Sequence, residues 1–243
     1  MSSTLKRKIL IITFFAIAMG FLEAIVVVYI RELYYPNGFS FPLVLIPEKI
    51  FSIELVRELT TLIMLLSIGL LAGKSPIEKF SWFLFTFGIW DINYYIALKI
   101  FLDWPASLLT WDILFLIPIT WIGPVLAPVI CSLTMIIFAM VFIVPIDRNK
   151  IVWVDRFTWI FTILGAVIIF VSFIYDYTAL MSSEGYFSSG GPSLLDPGFI
   201  DIVASYIPDK FKWWLFVLGE GLIVFAIVKI FYQNNYKNVY NKL

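Results

Sequence analysis

Glu54, Arg57, Glu58 and Thr61 stand at i, i+3, i+4 and i+7, which puts three charges and a hydroxyl on one helix face and brings Arg57 within reach of Glu54. Asp91, Tyr95 and Lys99 recur every four residues as a second polar stripe, with Asn93 and Tyr94 beside it. Glu23 and Glu220 stand alone in long apolar runs, and Asp112 lies in the segment from Trp111 to Pro118. Carboxylates in such surroundings can bind a cation or an amine, relay a proton, hold Mg²⁺ or Ca²⁺ through oxygen, or serve as acid and base.

Other chemistries are excluded by residue type. The chain has no histidine, so imidazole-ligated haem, histidine-based zinc and serine–histidine or zinc-dependent proteolysis are impossible within it. Its one cysteine, Cys131, rules out an internal disulfide and reads as a small buried hydrophobe. A phosphate-cradling glycine loop and paired aspartate-rich metal-diphosphate motifs are both missing from the sequence. No resident metal or cofactor is expected, apart from a cation held by oxygen.

These residues are embedded in a very apolar chain. Of 243 residues, 61% are hydrophobic, 19% aromatic and 14% charged, with a mean hydropathy of +0.96. A soluble domain is about 45–50% apolar and about 25% charged, so this chain lacks the polar surface to face water. Lys plus Arg equal Asp plus Glu at 17 each, which leaves no electrostatic basis for a nucleic-acid partner. The environment is the lipid bilayer.

Apolar runs at roughly 9–30, 51–72, 81–101, 122–145, 157–177 and 211–231 predict six transmembrane helices in one all-α domain over 1–243. The first run follows Lys6, Arg7 and Lys8 as a signal peptide would, but apolar sequence continues to Ile30 and favours a retained span. Eleven of the seventeen basic residues, against only Glu78, Asp147 and Asp155, fall at the ends and loops that become cytoplasmic if both termini are inside. The expected location is the cell membrane, multi-pass, with both termini cytoplasmic. Trp104 to Thr120 is too apolar for an ordinary loop and predicts an interfacial or re-entrant piece, either a lid with Asp112 at its mouth or a surface helix held by tryptophans. Pro128 is expected to kink the fourth span, and Asp196-Pro197 to start a short helix on the outer surface.

At ~1.5 Å per residue through a ~30 Å core, Glu23, Glu54, Arg57, Glu58, Asp91 and Glu220 all fall in the outer half, with Lys99 near the outer edge. Ala16, Gly20 and Ala24 form a small-residue stripe that turns Glu23 towards the bundle. Gly219 and Gly221 would let a second backbone approach Glu220. Five acids against Arg57 require protonation, a bound cation or a water-filled cavity. Embedded ion pairs can also do no more than fix helix register.

Glu23, Glu54, Arg57, Glu58, Asp91, Tyr95, Lys99, Asp112 and Glu220 are therefore expected to form an acidic site in the outer half that binds or transports a cation, proton or small amine. Two other readings fit the same residues: an accessory subunit whose polar face meets a partner membrane protein or a second copy, and a carboxylate-dependent enzyme acting on a lipid or isoprenoid.

Overall fold

A computed structural model describes residues 1–183, 198 and 205–240, and only the backbone of 235–240. In order, the elements are α1 (Ser3–Tyr34), α2 (Glu48–Ala72), α3 (Pro76–Leu102), β1 (Trp111–Phe115), β2 (Trp121–Pro124), α4 (Leu126–Asp147), α5 (Arg156–Ser183) and α6 (Trp213–Tyr240). The surface helix expected to begin at Asp196 lies outside the described residues.

Local chemistry sets several helix starts. The Ser2 hydroxyl accepts the Leu5 N–H at 3.0 Å, Ser75 accepts that of Glu78 at 3.2 Å ahead of Pro76, and Asp155 accepts that of Thr158 at 2.9 Å. Each satisfies a donor that the first turn cannot use internally.

Five helices, α1, α2, α4, α5 and α6, are long and apolar enough to cross a membrane. Leu, Ile, Val and Phe cover their outward faces, with Leu33, Leu71, Ile163 and Val217 among the exposed side chains. The remaining helix, α3, has 27 residues but interrupts its aliphatic positions with Trp82, Trp90, Asp91, Asn93, Tyr94 and Tyr95. It packs against α1, α2 and α4. A helix enclosed by protein on several sides can carry polar groups that a lipid-facing helix cannot.

Helices α5 and α6 close on each other at Gly165 and Gly219. A Cβ built on either glycine would stand 2.7 Å from the other's carbonyl oxygen, so neither position admits a side chain. Gly221 has nothing within 4 Å of its Cβ direction, so only one of the two glycines flanking Glu220 serves helix contact.

The segment expected to be interfacial or re-entrant is an antiparallel hairpin, with no helix of its own. Trp111 pairs with Pro124, Asp112 with Gly123, Ile113 with Ile122 and Phe115 with Trp121, with a bulge between Ile113 and Phe115. Val125 and Leu126 extend the connection by donating to the carbonyls of Thr110 at 3.0 Å and Leu108 at 2.7 Å. Proline at 118 and 124 withholds the N–H groups a helix would need, whereas two strands satisfy each other's backbone. The pairing claims residues 121–124, which moves the start of the fourth long helix from 122 to Leu126. Pro128 is then the third residue of α4, where its missing N–H has no helical partner to lose, so it does not interrupt the helix.

At the opposite end, the Ser2 N–H and hydroxyl donate to Asp147, and Lys8 pairs with Glu78 at 3.7 Å. Asp155 ties the start of α5 to α6 through Lys229 at 2.9 Å and Gln233 at 2.8 Å. Hydrogen bonds from Gln233, Lys229 and the Thr158 N–H hold its carboxyl well below the usual carboxylate range. Its unfolded pKa is ~3.9, so its contribution to stability is complete above that pH and declines as pH falls towards the native value. Asp155→Asn is expected to lower the melting temperature of the detergent-solubilised protein equally from about pH 5 to about pH 8, with the gap to wild type closing only in stronger acid. A Val at 219 should cost ~1–3 kcal/mol by overpacking, whereas Gly221→Val should stay within ~0.5 kcal/mol; thermal unfolding of the two variants side by side checks this.

Candidate functional site

The hairpin end of the bundle holds a cavity of about 180 Å³ between α1, α2, α3, β1 and the loop that follows α1. Glu23, Glu54, Arg57, Glu58, Asp91, Tyr95 and Asp112 all line it. Seven of the nine residues chosen by type and spacing thus share one wall. Glu220 does not join them: it lines a second cavity, of about 300 Å³, which it shares with Asp91. Lys99 borders neither. Its ammonium pairs with the exposed Asp103 carboxylate at 2.7 Å and donates to the carbonyls of Asp103 and Pro105, completing the C-terminus of α3.

Helix contacts aim these groups. A Cβ on Gly20 would lie 2.6 Å from the carbonyl oxygen of Trp90, so α1 and α3 touch backbone to backbone there. Ala16 and Ala24 are fully buried on the same stripe. Glu23, three residues after Gly20, is therefore carried inwards, where Arg57 Nη1 contacts its Oε1 and the Thr61 hydroxyl donates to its Oε2 at 2.9 Å. Arg57 also binds Glu54 Oε2 through Nε and Nη2, both at 2.8 Å. One guanidinium thus neutralises a neighbour in its own helix and ties α2 to α1.

A second guanidinium, which the sequence reading did not select, does the same for the hairpin. Arg31 is 7% exposed, and its Nη2 donates to Asp112 Oδ1 at 2.9 Å, while the Tyr95 hydroxyl reaches Asp112 Oδ2 at 3.3 Å. The guanidinium lies over the ring of Trp104 at 3.8 Å and that of Phe39 at 4.4 Å. The signal was present in the spacing: Arg31 follows Glu23 by eight residues, with Val27 midway, so all three lie on one face of α1.

Two carboxylates in this cavity have no such partner. Both oxygens of Glu58 take the Leu116 N–H, at 3.0 and 2.9 Å, and Asp91 Oδ2 accepts the Ser132 hydroxyl at 2.7 Å. Among the described residues neither forms an ion pair. The cavity therefore presents five carboxylates to two guanidiniums that are already engaged by Glu23, Glu54 and Asp112. Tyr94 and Trp90, stacked with centroids 6.4 Å apart, complete its wall on α3.

Among the described residues no group of three acids or thiols converges closely enough to hold a metal ion. No protein-family model, curated protein or solved structure matches the chain.

Removing one member of a buried ion pair leaves the other uncompensated, at ~3–5 kcal/mol. Arg31→Met is expected to lose that much stability, and Asp112→Asn in the same chain to recover part of it. Lys99→Met, at an exposed pair, should stay within ~1 kcal/mol. Chemical unfolding of the four proteins in one detergent measures all three values.

Proposed function

We propose that the chain crosses the membrane six times, with α3 as the enclosed span and both termini cytoplasmic, and that it binds a small cation or amine at Glu58 and Asp91 from the outer side. The observation that carries this reading is the pair of carboxylates left without a cationic side chain in a cavity whose other three acids are engaged by Arg31 and Arg57. A buried carboxylate gains most from an ion that brings its own positive charge.

The orientation rests on the basic residues gathered at the Ser2, Lys8, Asp147 and Asp155 end. The hairpin and its cavity then face outwards. Trp90, Tyr94 and Tyr95 add aromatic faces that favour an ammonium over a bare metal ion. Leu43 to Ile46, in the loop after α1, lie over the cavity and form the segment a ligand would pass. Asp91 borders both cavities, so a cation received from Glu58 has a next carboxylate deeper in the bundle. Transport of the bound ion is the activity this arrangement supports.

A ligand that binds only the folded protein stabilises it by RT ln(1 + [L]/Kd), about 2.7 kcal/mol at a hundredfold excess over Kd. Titrating methylammonium, Na⁺ and K⁺ against the purified protein in lipid nanodiscs should raise the melting temperature for at least one of them. Asp91→Asn and Glu58→Gln should each remove that rise while the unliganded protein still unfolds cooperatively. A rise that survives in both variants refutes the assignment.

A further inference from the structure

The second cavity differs in chemistry from the first. Among the described residues no lysine or arginine lines it, and aromatic rings form much of its wall: Trp121 lies 5.0 Å from Phe170 and 5.6 Å from Phe115, centroid to centroid. Into this apolar space comes Glu220, 8% exposed. Its Oε2 accepts the Thr134 hydroxyl at 2.9 Å, and the Cys131 thiol, a weak donor, is the other group against it. The buried Oε1 accepts no conventional hydrogen bond. Among the described residues no cation pairs with Glu220.

The mouth of this cavity is on the side of the bundle. Ala166, at its rim, is exposed near the middle of α5, and Phe80 on α3 is exposed as well. An exposed residue at mid-span of a membrane-crossing helix faces hydrocarbon, so this mouth opens on the bilayer and favours a ligand with apolar arms.

We infer that the second cavity is a binding site for a lipophilic organic ammonium, whose charged nitrogen sits against Glu220 and whose apolar arms pack among Phe170, Trp121 and Phe115. The carboxylate supplies the charge that no side chain supplies, and the ring faces supply cation–π attraction in a water-poor setting. A volume of about 300 Å³ accommodates a small organic ion. Asp91 also lines this cavity, and the assignment to Glu220 does not depend on the cation bound at Glu58.

Benzyltrimethylammonium carries a permanent charge, and neopentylbenzene is its uncharged isostere. Binding of the two to the full-length protein in nanodiscs, measured by equilibrium dialysis, tests the site. The ammonium should bind at least about tenfold more tightly than the isostere, a difference of about 1.4 kcal/mol. Glu220→Gln should abolish that preference, Ala166→Trp should block binding of the ammonium by filling the mouth, and Glu58→Gln should change neither. Equal binding of the two compounds to the wild type overturns the inference, as does full binding in Ala166→Trp. Loss in Glu58→Gln would move the ligand to the first cavity and also overturn it. Should Glu220→Gln fail to fold, the two-compound comparison and the exposed Ala166→Trp variant decide the matter alone.

Discussion

Arg57 is half-buried and Arg31 buried where a charge is tolerated only against its opposite, and the hairpin end of the bundle is arranged around that constraint. Arg57 draws Glu23 of α1 onto the Glu54 face of α2, and Arg31 draws the hairpin onto α1 through Asp112. The hairpin, once held, places the Leu116 N–H on Glu58. The cavity is the space these ties enclose. Its two remaining acids are unmatched because each guanidinium is already committed.

The same constraint accounts for the unusual composition of α3. With α1, α2 and α4 around it, this helix exchanges aliphatic surface for Trp, Tyr, Asn and Asp and supplies Asp91, Tyr94 and Tyr95 to the cavity. Among the described residues, the five helices long and apolar enough to cross a membrane turn Leu, Ile, Val and Phe outwards. The backbone contact at Gly20 brings α1 close enough to α3 for Glu23 and Asp91 to share a wall.

Much of this arrangement was legible in the sequence because its causes are local. A run of about 20 apolar residues announces a long membrane helix, and an i, i+3, i+4 spacing announces a shared face. Glu54, Arg57 and Glu58 on α2, and Asp91 and Tyr95 on α3, share the cavity wall for those reasons. Features that depend on pairing between distant segments were not legible. Spacing on α1 puts Arg31 on the face of Glu23, but its partner Asp112 comes from 81 residues away and only the fold brings the two together. The hairpin segment reads as an interfacial or re-entrant piece until β2 appears as the partner of β1. Lys99 sits on the stripe of Asp91 and Tyr95 but lies at the end of α3, where carbonyls and Asp103 claim it. Glu220 has the depth of the other acids, yet α6 packs against α5 and faces a different cavity.

The central claim is that Glu58 and Asp91 are the carboxylates that meet a cation, while Glu23, Glu54 and Asp112 are held by guanidiniums. Infrared difference spectroscopy of the protein with and without the stabilising cation tests it most directly, because ionised carboxylates absorb apart from protonated ones and shift on contact with an ion. The account predicts a carboxylate band change that is reduced in Glu58→Gln and in Asp91→Asn and retained in Glu23→Gln. A change that disappears in Glu23→Gln, or a spectrum in which no carboxylate responds, contradicts it.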